Sequence, residues 1–328
     1  MRRLLLVKTS SLGDVVHNLP VVTDLRNRFP DLEIDWAVEE SFAEIPVLHP
    51  AVSEVVPVAP RRWRRNLASR ASWQEIGALR RRLHARGYDV VLDTQGLLKS
   101  AMIARMAPGQ RFGLDWSSSR EPLWPFYDAT FHVSWSLHAV ERNRQLAALA
   151  LGYTPSSEVD YGIGAATPGG GLSAKPDGDY AVLLHATSAR EKLWPEHQWV
   201  KLADHLLHRG LRAVLPWGNE DEHARSKRIA ALLKHATVPP RLSLSEAAGL
   251  LRHARAVFGV DTGLTHLSVA LGKPTIGIYC ATDPAATGLY GSAAATNVGG
   301  KDGPPPVAAV ISAWHRVQPD AQPVHSSA

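Results

Sequence analysis

Short runs of aliphatic and β-branched residues alternate along this chain with longer stretches of helical periodicity, and the alternation begins afresh halfway through. Strands that run in the same direction need a crossover of helix length between them, so the pattern predicts parallel sheets rather than hairpins. In the first half, strands are expected at 3–8, 32–38, 54–58, 89–93 and 110–114, with helices at 15–28, 73–86, 97–106 and 138–151. In the second half, strands are expected at 180–185, 212–216, 256–260 and 274–279, with helices at 195–209, from 220, at 244–253 and at 264–271. Residues 153–178 are rich in Pro, Gly, Ser and Ala, show no usable periodicity and read as a linker. Pro304, Pro305 and Pro306 precede a last short helix at 307–317, and the tail to residue 328 reads as frayed. The fold class is therefore α/β: two Rossmann-like units in tandem, expected to face each other across a cleft, with ligands at the carboxyl ends of the strands.

A length of 328 residues suits two domains, each large enough to bury a core. With 45% hydrophobic and 20% charged residues, the composition is that of a soluble globular protein and disfavours disordered and fibrous classes. No stretch approaches the roughly 20 apolar residues of a membrane span. The opening MRRLLLVKTSSLGD has too short an apolar run for a signal peptide and reads as a buried strand of a cytoplasmic protein. Cys280 is the only cysteine, which excludes an internal disulfide and a thiolate metal cluster. The net charge of +5 is concentrated: residues 61–86 hold nine arginines against one acid, Glu75. Such a block suits nucleic acid, an anionic membrane surface or a ligand carrying carboxylates and phosphates. Arg80, Arg81 and Arg82 also fit a solvated helix face, whereas Arg61, Arg62, Arg64 and Arg65 follow Pro57 and Pro60 and read as a ligand-facing loop.

Three strand ends carry polar clusters. Thr9-Ser10-Ser11-Leu12-Gly13-Asp14 leads from the first strand into a helix, with Gly13 expected to permit a tight turn. Asp14 reads either as a helix N-cap or as a carboxylate aimed into the crevice. Val260-Asp261-Thr262-Gly263-Leu264-Thr265-His266 ends a strand and opens a helix whose amides suit a diphosphate. Asp261 also fits a cap, and His266 a packed core residue. The segment 185–192 offers Thr187, Ser188 and Lys192 to phosphate oxygens. Together they predict a nucleotide-diphosphate donor in the second unit. Gly162-Ile163-Gly164 lacks the third glycine of a dinucleotide fingerprint, and Asp177-Gly178-Asp179 precedes a strand and belongs to the linker rather than to a metal site. No P-loop, His-Glu-x-x-His helix or nucleophile elbow occurs.

The segments VKTSSLGDVVHNLP, WAVEESFAEIP, RRWR, DTQGLLKSA, DWSSSREP, HAVERNR, LLHATSAREKLWP, LPWGNEDE and VDTGLTHL closely resemble the lipopolysaccharide heptosyltransferase I group of glycosyltransferase family 9, over about residues 1–291. The resemblance implies a GT-B fold with an acceptor-binding unit at 1–153, a linker at 154–178, an ADP-heptose-binding unit at 179–303 and a C-terminal helix and tail at 304–328. It implies metal-independent, cofactor-free inverting transfer of L-glycero-D-manno-heptose from ADP-heptose to a Kdo hydroxyl of Kdo2-lipid A. The enzyme would be a monomer, peripheral on the cytoplasmic face of the inner membrane, with no nucleic-acid partner. Carried onto this chain, the resemblance makes Asp14 the general base. Around the donor it places Thr187, Ser188, Lys192, Glu222, Asp261, Thr262, Gly263, Leu264 and His266. Around the acceptor it places Ser11, Gly13, Arg61, Arg62, Arg64, Lys99, Arg120, His138 and Arg142. Ser188 departs from an expected threonine, and Cys280-Ala281 from an expected Gly-Pro. The alternatives are a heptosyltransferase acting on a heptosyl acceptor, a non-catalytic basic module for nucleic acid or membrane, and a NAD-linked epimerase, which lacks its glycine fingerprint.

Overall fold

The computed structural model describes residues 1–164 and 176–317. The chain divides into two units, Met1–Pro168 and Gly169–Ala328. The first runs β1 (Arg3–Val7), α1 (Leu12–Val16), α2 (Leu19–Arg28), β2 (Glu33–Glu39), α3 (Glu44–Val47), β3 (Val52–Val58), α4 (Pro60–Arg65), α5 (Arg70–Arg86), β4 (Val90–Asp93), α6 (Leu98–Ala104), β5 (Gln110–Leu114), β6 (Ala129–Phe131) and α7 (Ala139–Leu151). Its strands lie in the order β3-β2-β1-β4-β5-β6 and every pairing is parallel. The two central strands, RLLLV and VVLD, are apolar on both faces because helices cover both sides of the sheet.

The second unit runs β7 (Tyr180–Leu184), α8 (Glu196–Leu207), β8 (Arg212–Val214), α9 (Glu220–Ala230), β9 (Ala236–Thr237), α10 (Leu244–His253), β10 (Ala256–Val260), α11 (Gly263–Ala270), β11 (Thr275–Tyr279), α12 (Pro284–Thr287), β12 (Ala295–Gly299) and α13 (Val307–Val317). The order β12-β11-β10-β7-β8-β9 repeats the first sheet's plan, again all parallel. α13 packs its Val310, Ala313 and Trp314 into the core of this unit with Trp199, Leu206, Phe258 and Ile276. The Trp194 indole, edge-on to Trp199 at 5.0 Å, donates to the Pro305 carbonyl at 2.8 Å and so ties the triple-proline segment to that core.

Four local expectations need correction. The helix expected at 15–28 is two helices, α1 and α2. Pro20 has no N–H and its ring clashes with the carbonyl four residues back, so one helix cannot pass through it. The arginine cluster read as a loop is helix α4. Pro60 begins it with a preset φ, and Trp63 anchors it by inserting into the unit-1 core and donating from Nε1 to Glu75 at 2.8 Å. Strands β6, β9 and β12 were not expected, being short or polar edge strands. Gly13 lies within α1 and is not among the glycines of positive φ, so the turn after β1 does not need its freedom. Residues 165–175 of the expected linker, and the tail from 318, lie outside the described residues.

Candidate active site

In each sheet the chain leaves the central pair in opposite directions, and the loops after the two strands diverge to open a crevice. In the first unit these are the loops after β1 and β4. The Gln95 side-chain oxygen accepts the backbone N–H of Thr9 and of Ser10, each at 3.0 Å, which joins the loops. Lys8 is buried; its Nζ donates to the Thr94 carbonyl at 2.8 Å and to Asn143 Oδ1 at 3.3 Å. Burial pushes this ammonium below the usual lysine range, opposed most by the charges of Asp14 and Asp93. Asp93 at the end of β4 is pushed up by burial while accepting from the Tyr127 hydroxyl at 2.8 Å and the Gln95 N–H at 2.8 Å.

Asp14 is half-buried at the third position of α1, and Ser11 is the N-cap. Asp14 Oδ2 accepts from the Ser11 N–H at 2.7 Å and from Ser11 Oγ at 2.9 Å, so the carboxylate is fixed by the helix start and the N-cap alternative falls to Ser11. Its charge bears on two lysines, Lys8 and Lys99. Arg61, Arg64 and Asp14 all bear electrostatically on Lys99, whose ammonium is pushed down by burial first and Arg61 second. Lys99 donates to Ser10 Oγ. Arg120 and Arg142 bear likewise on Lys8. Several of the expected acceptor residues are engaged within the protein. Arg62 binds Glu75 at 2.9 Å and Glu40 at 3.1 Å, bracing α4 against α5. Arg142 donates to the carbonyls of Ser118 at 2.7 Å and Ser134 at 2.8 Å and lies 3.7 Å over the Trp135 ring. His138 is the N-cap of α7, its Nδ1 accepting from Val140 N at 3.2 Å.

In the second unit the crevice lies between the loops after β7 and β10. Asp261, just past β10, organises it: Oδ2 accepts from Lys192 Nζ at 2.7 Å and Thr282 Oγ1 at 3.0 Å, and Oδ1 lies 3.8 Å from His266 Nε2. Burial alone would push this carboxyl up, but the hydrogen bonds and charges of His266 and Lys192 outweigh it and hold it well below the usual carboxylate range. Thr187 Oγ1 donates to the Asp261 carbonyl at 3.0 Å, tying the two loops together. Thr262 is the N-cap of α11, and Gly263 and Leu264 are its first residues, so their amides carry the positive end of the helix dipole. Gly259 lets this helix approach its strand: a Cβ there would stand 2.1 Å from Thr265 Oγ1, which instead donates to the Val260 carbonyl at 2.8 Å. Ser188 is exposed beside Thr187. Glu222 closes the start of α9, accepting from Gly218 N at 2.7 Å and Asn219 Nδ2 at 3.0 Å. Asp179 pairs with Arg255 at 3.0 Å, and no group able to hold a metal ion occurs among the described residues.

Lys8, Gln95, Asn143 and Thr282 were not singled out from sequence, although Lys8 is the second residue of the VKTSSLGDVVHNLP motif and Thr282 follows the unusual Cys280-Ala281 pair. Cys280 points into the unit-2 core, where burial pushes its thiol up to about 11, so this departure leaves the Thr282–Asp261 contact in place.

Comparison with known proteins identifies the family and the fold class. Residues 76–306 match glycosyltransferase family 9 (heptosyltransferase). The chain is 48% identical over 292 residues to lipopolysaccharide heptosyltransferase 1 of Pseudomonas aeruginosa, covering 88% of this chain and 81% of that one. It is similar to the E. coli heptosyltransferase WaaC solved with ADP, at 44% identity and a TM-score of 0.84, covering 90% of this chain and 92% of that chain. The same coverage and identity hold for E. coli WaaC solved with ADP-2-deoxy-2-fluoro heptose, at a TM-score of 0.81. Two Rossmann-like units of like topology, matched along most of their length, place the chain in the GT-B class, and it belongs to glycosyltransferase family 9.

Proposed function

We propose that the chain is an inverting heptosyltransferase of lipopolysaccharide inner-core synthesis, moving L-glycero-D-manno-heptose from ADP-heptose to a Kdo hydroxyl of Kdo2-lipid A. The observation that carries this reading is the Asp14 carboxylate, held by Ser11 past the end of β1, where its charge bears on Lys8 and Lys99. Its donor half rests on the likeness to E. coli WaaC solved with ADP and with a fluorinated ADP-heptose. Its acceptor half rests on charge: Arg61, Arg64, Lys99 and Arg120 suit Kdo carboxylates and lipid A phosphates.

The reaction is a single displacement. A Kdo hydroxyl oxygen attacks the anomeric carbon, its proton passes to Asp14, and the bond from that carbon to the diphosphate oxygen breaks, releasing ADP. Lys192 and the amides at the start of α11 meet the charge that grows on the departing diphosphate, doing by fixed dipoles what a divalent cation does elsewhere. Hence the reaction is proposed to need no metal. Asp261 is negative and a poor direct partner for a diphosphate; its role is to position Lys192, His266 and Thr282. A lipid-linked acceptor requires work at a membrane surface, and among the described residues no helix is long and apolar enough to cross one. The deciding experiment is ADP release measured with ADP-heptose and de-acylated Kdo2-lipid A, singly and together. Release only with both supports the reading; release equal with a heptosyl acceptor or independent of acceptor overturns it.

A further inference from the structure

Helix α5 has two unlike faces. Ser72, Leu79 and Leu83 are buried and Ile76 packs with them on the unit-1 core. On one flank the charges are matched, Glu75 with Arg62 and Arg82 with Glu54. The remaining face carries Arg70, Trp73, Arg80, Arg81 and His84, all exposed, and Gly77, Arg80, Arg81 and His84 line one shallow depression on it. Among the described carboxylates none is paired with Arg70, Arg80 or Arg81. Two large apolar side chains stand out among these cations, Trp73 at 59% exposure and Leu67 at 54%. They are neighbours, because the Trp73 indole N–H donates to the Leu67 carbonyl at 2.8 Å.

We infer that the outer face of α5, with Leu67 and Trp73, docks this protein on the anionic surface of a lipid bilayer. Arginine on a helix face with tryptophan and leucine beside it is the composition of an interfacial helix: the guanidinium groups meet headgroup phosphates while the indole and the aliphatic side chain enter the boundary with the acyl chains. An exposed leucine has no corresponding role on a nucleic-acid backbone, which favours lipid over nucleic acid. α4, which carries Arg61 and Arg64, leads through 66–69 directly into α5, so docking would present the acceptor-facing arginines close to the headgroup layer. The inference rests on the lipid-linked acceptor of the proposed function.

The test uses the full chain and sedimentation with vesicles of one part phosphatidylglycerol to three parts phosphatidylcholine, against pure phosphatidylcholine. An arginine at an anionic surface is worth about a fivefold factor in partitioning, so Arg80→Gln/Arg81→Gln should lose about thirtyfold. That part of the binding should vanish in 1 M salt, where the screening length is about 3 Å. Trp73→Ala should weaken binding at high salt as well as low. Both variants should keep parental turnover on de-acylated acceptor, since neither site belongs to the catalytic machinery, and lose it on vesicle-embedded Kdo2-lipid A in proportion to binding. Failure of the parent chain to sediment with the anionic vesicles overturns the inference, as does equal binding by parent and variants. So does tighter, equally substitution-sensitive binding to duplex RNA. Absence of ADP release from the parent on soluble acceptor would instead refute the proposed function, while the vesicle result would still report on the docking face.

Discussion

Replacing Asp14 by Asn separates its contact with the helix start from its proposed role as general base. As a partner of the helix start it accepts from Ser11 N and Ser11 Oγ, and Asn retains an oxygen for those bonds. Exchanging a charged acceptor for a neutral one costs about 1 kcal/mol of stability, a fall of about 2–4 °C in melting temperature for a unit of this size. As the base it is irreplaceable by Asn, because an amide cannot take the proton of the attacking hydroxyl. Loss of a positioned general base lowers rate by about 10²–10⁴, equivalent to about 3–5 kcal/mol of barrier. Turnover should therefore fall far more than stability, with donor affinity within about twofold of the parent, since the base acts only in the transition state. ADP release under saturating substrates, donor titration calorimetry and a thermal melt read the three quantities. A loss of turnover below about tenfold, or one matched by weaker donor binding, would refute the assignment.

Three further outcomes follow from the geometry. Lys192→Gln removes the charged partner of Asp261 and should weaken ADP binding by about 10–150-fold, the value of one charged hydrogen bond, as measured by calorimetry; unchanged affinity would remove Lys192 from the donor site. Arg144→Met leaves the buried Asp24 without its two bonds at 2.8 and 3.0 Å and should destabilise unit 1 by about 3–5 kcal/mol in denaturant titration, whereas Arg144→Met with Asp24→Leu should recover most of the loss. His49 accepts from Ala51 N at Nδ1 and meets Thr23 Oγ1 at 3.0 Å through Nε2, so both ring nitrogens are committed; burial lowers its pKa to about 4. Because the unfolded histidine binds its proton near pH 6.5 and the folded one only near 4, stability is full above that upper value and declines as pH falls between them. Melting temperatures across the series should show this slope, and a His49→Gln variant should flatten it.

The sheets were legible because the central strands are apolar on both faces: LLLV of β1, YAVLL of β7 and AVFGV of β10 are buried throughout, and their helix-length separation allows only parallel pairing. The edges were harder to read. β9 is two residues long and β12 is ATNVG, and such segments are strands only because a neighbour supplies the ladder. α4 was missed because clustered arginines after a proline look like a loop until Trp63 is seen to anchor them from beneath. At the site, Asp14, Lys192 and Asp261 could be found because strand-to-helix turns are marked in sequence by their polar residues. Lys8 and Asn143 meet across 135 positions, and Thr282 reaches Asp261 from another loop; such pairings leave no local periodicity to read. The division of the arginines was equally hidden. Only the fold distinguishes Arg62, held between two glutamates, from Arg61 and Arg64 beside it.

The close seat of α11 on β10 bears on how this protein can vary. With Gly259 leaving no room for even a methyl group and Thr265 bonded back to Val260, the amides at the start of α11 are set by the sheet and not by the loop before them. The loops after β7 and β11 are held to this frame at three points, where Thr187, Lys192 and Thr282 meet Asp261. Away from those three contacts the two loops can change length and composition without disturbing the seat of α11 on β10.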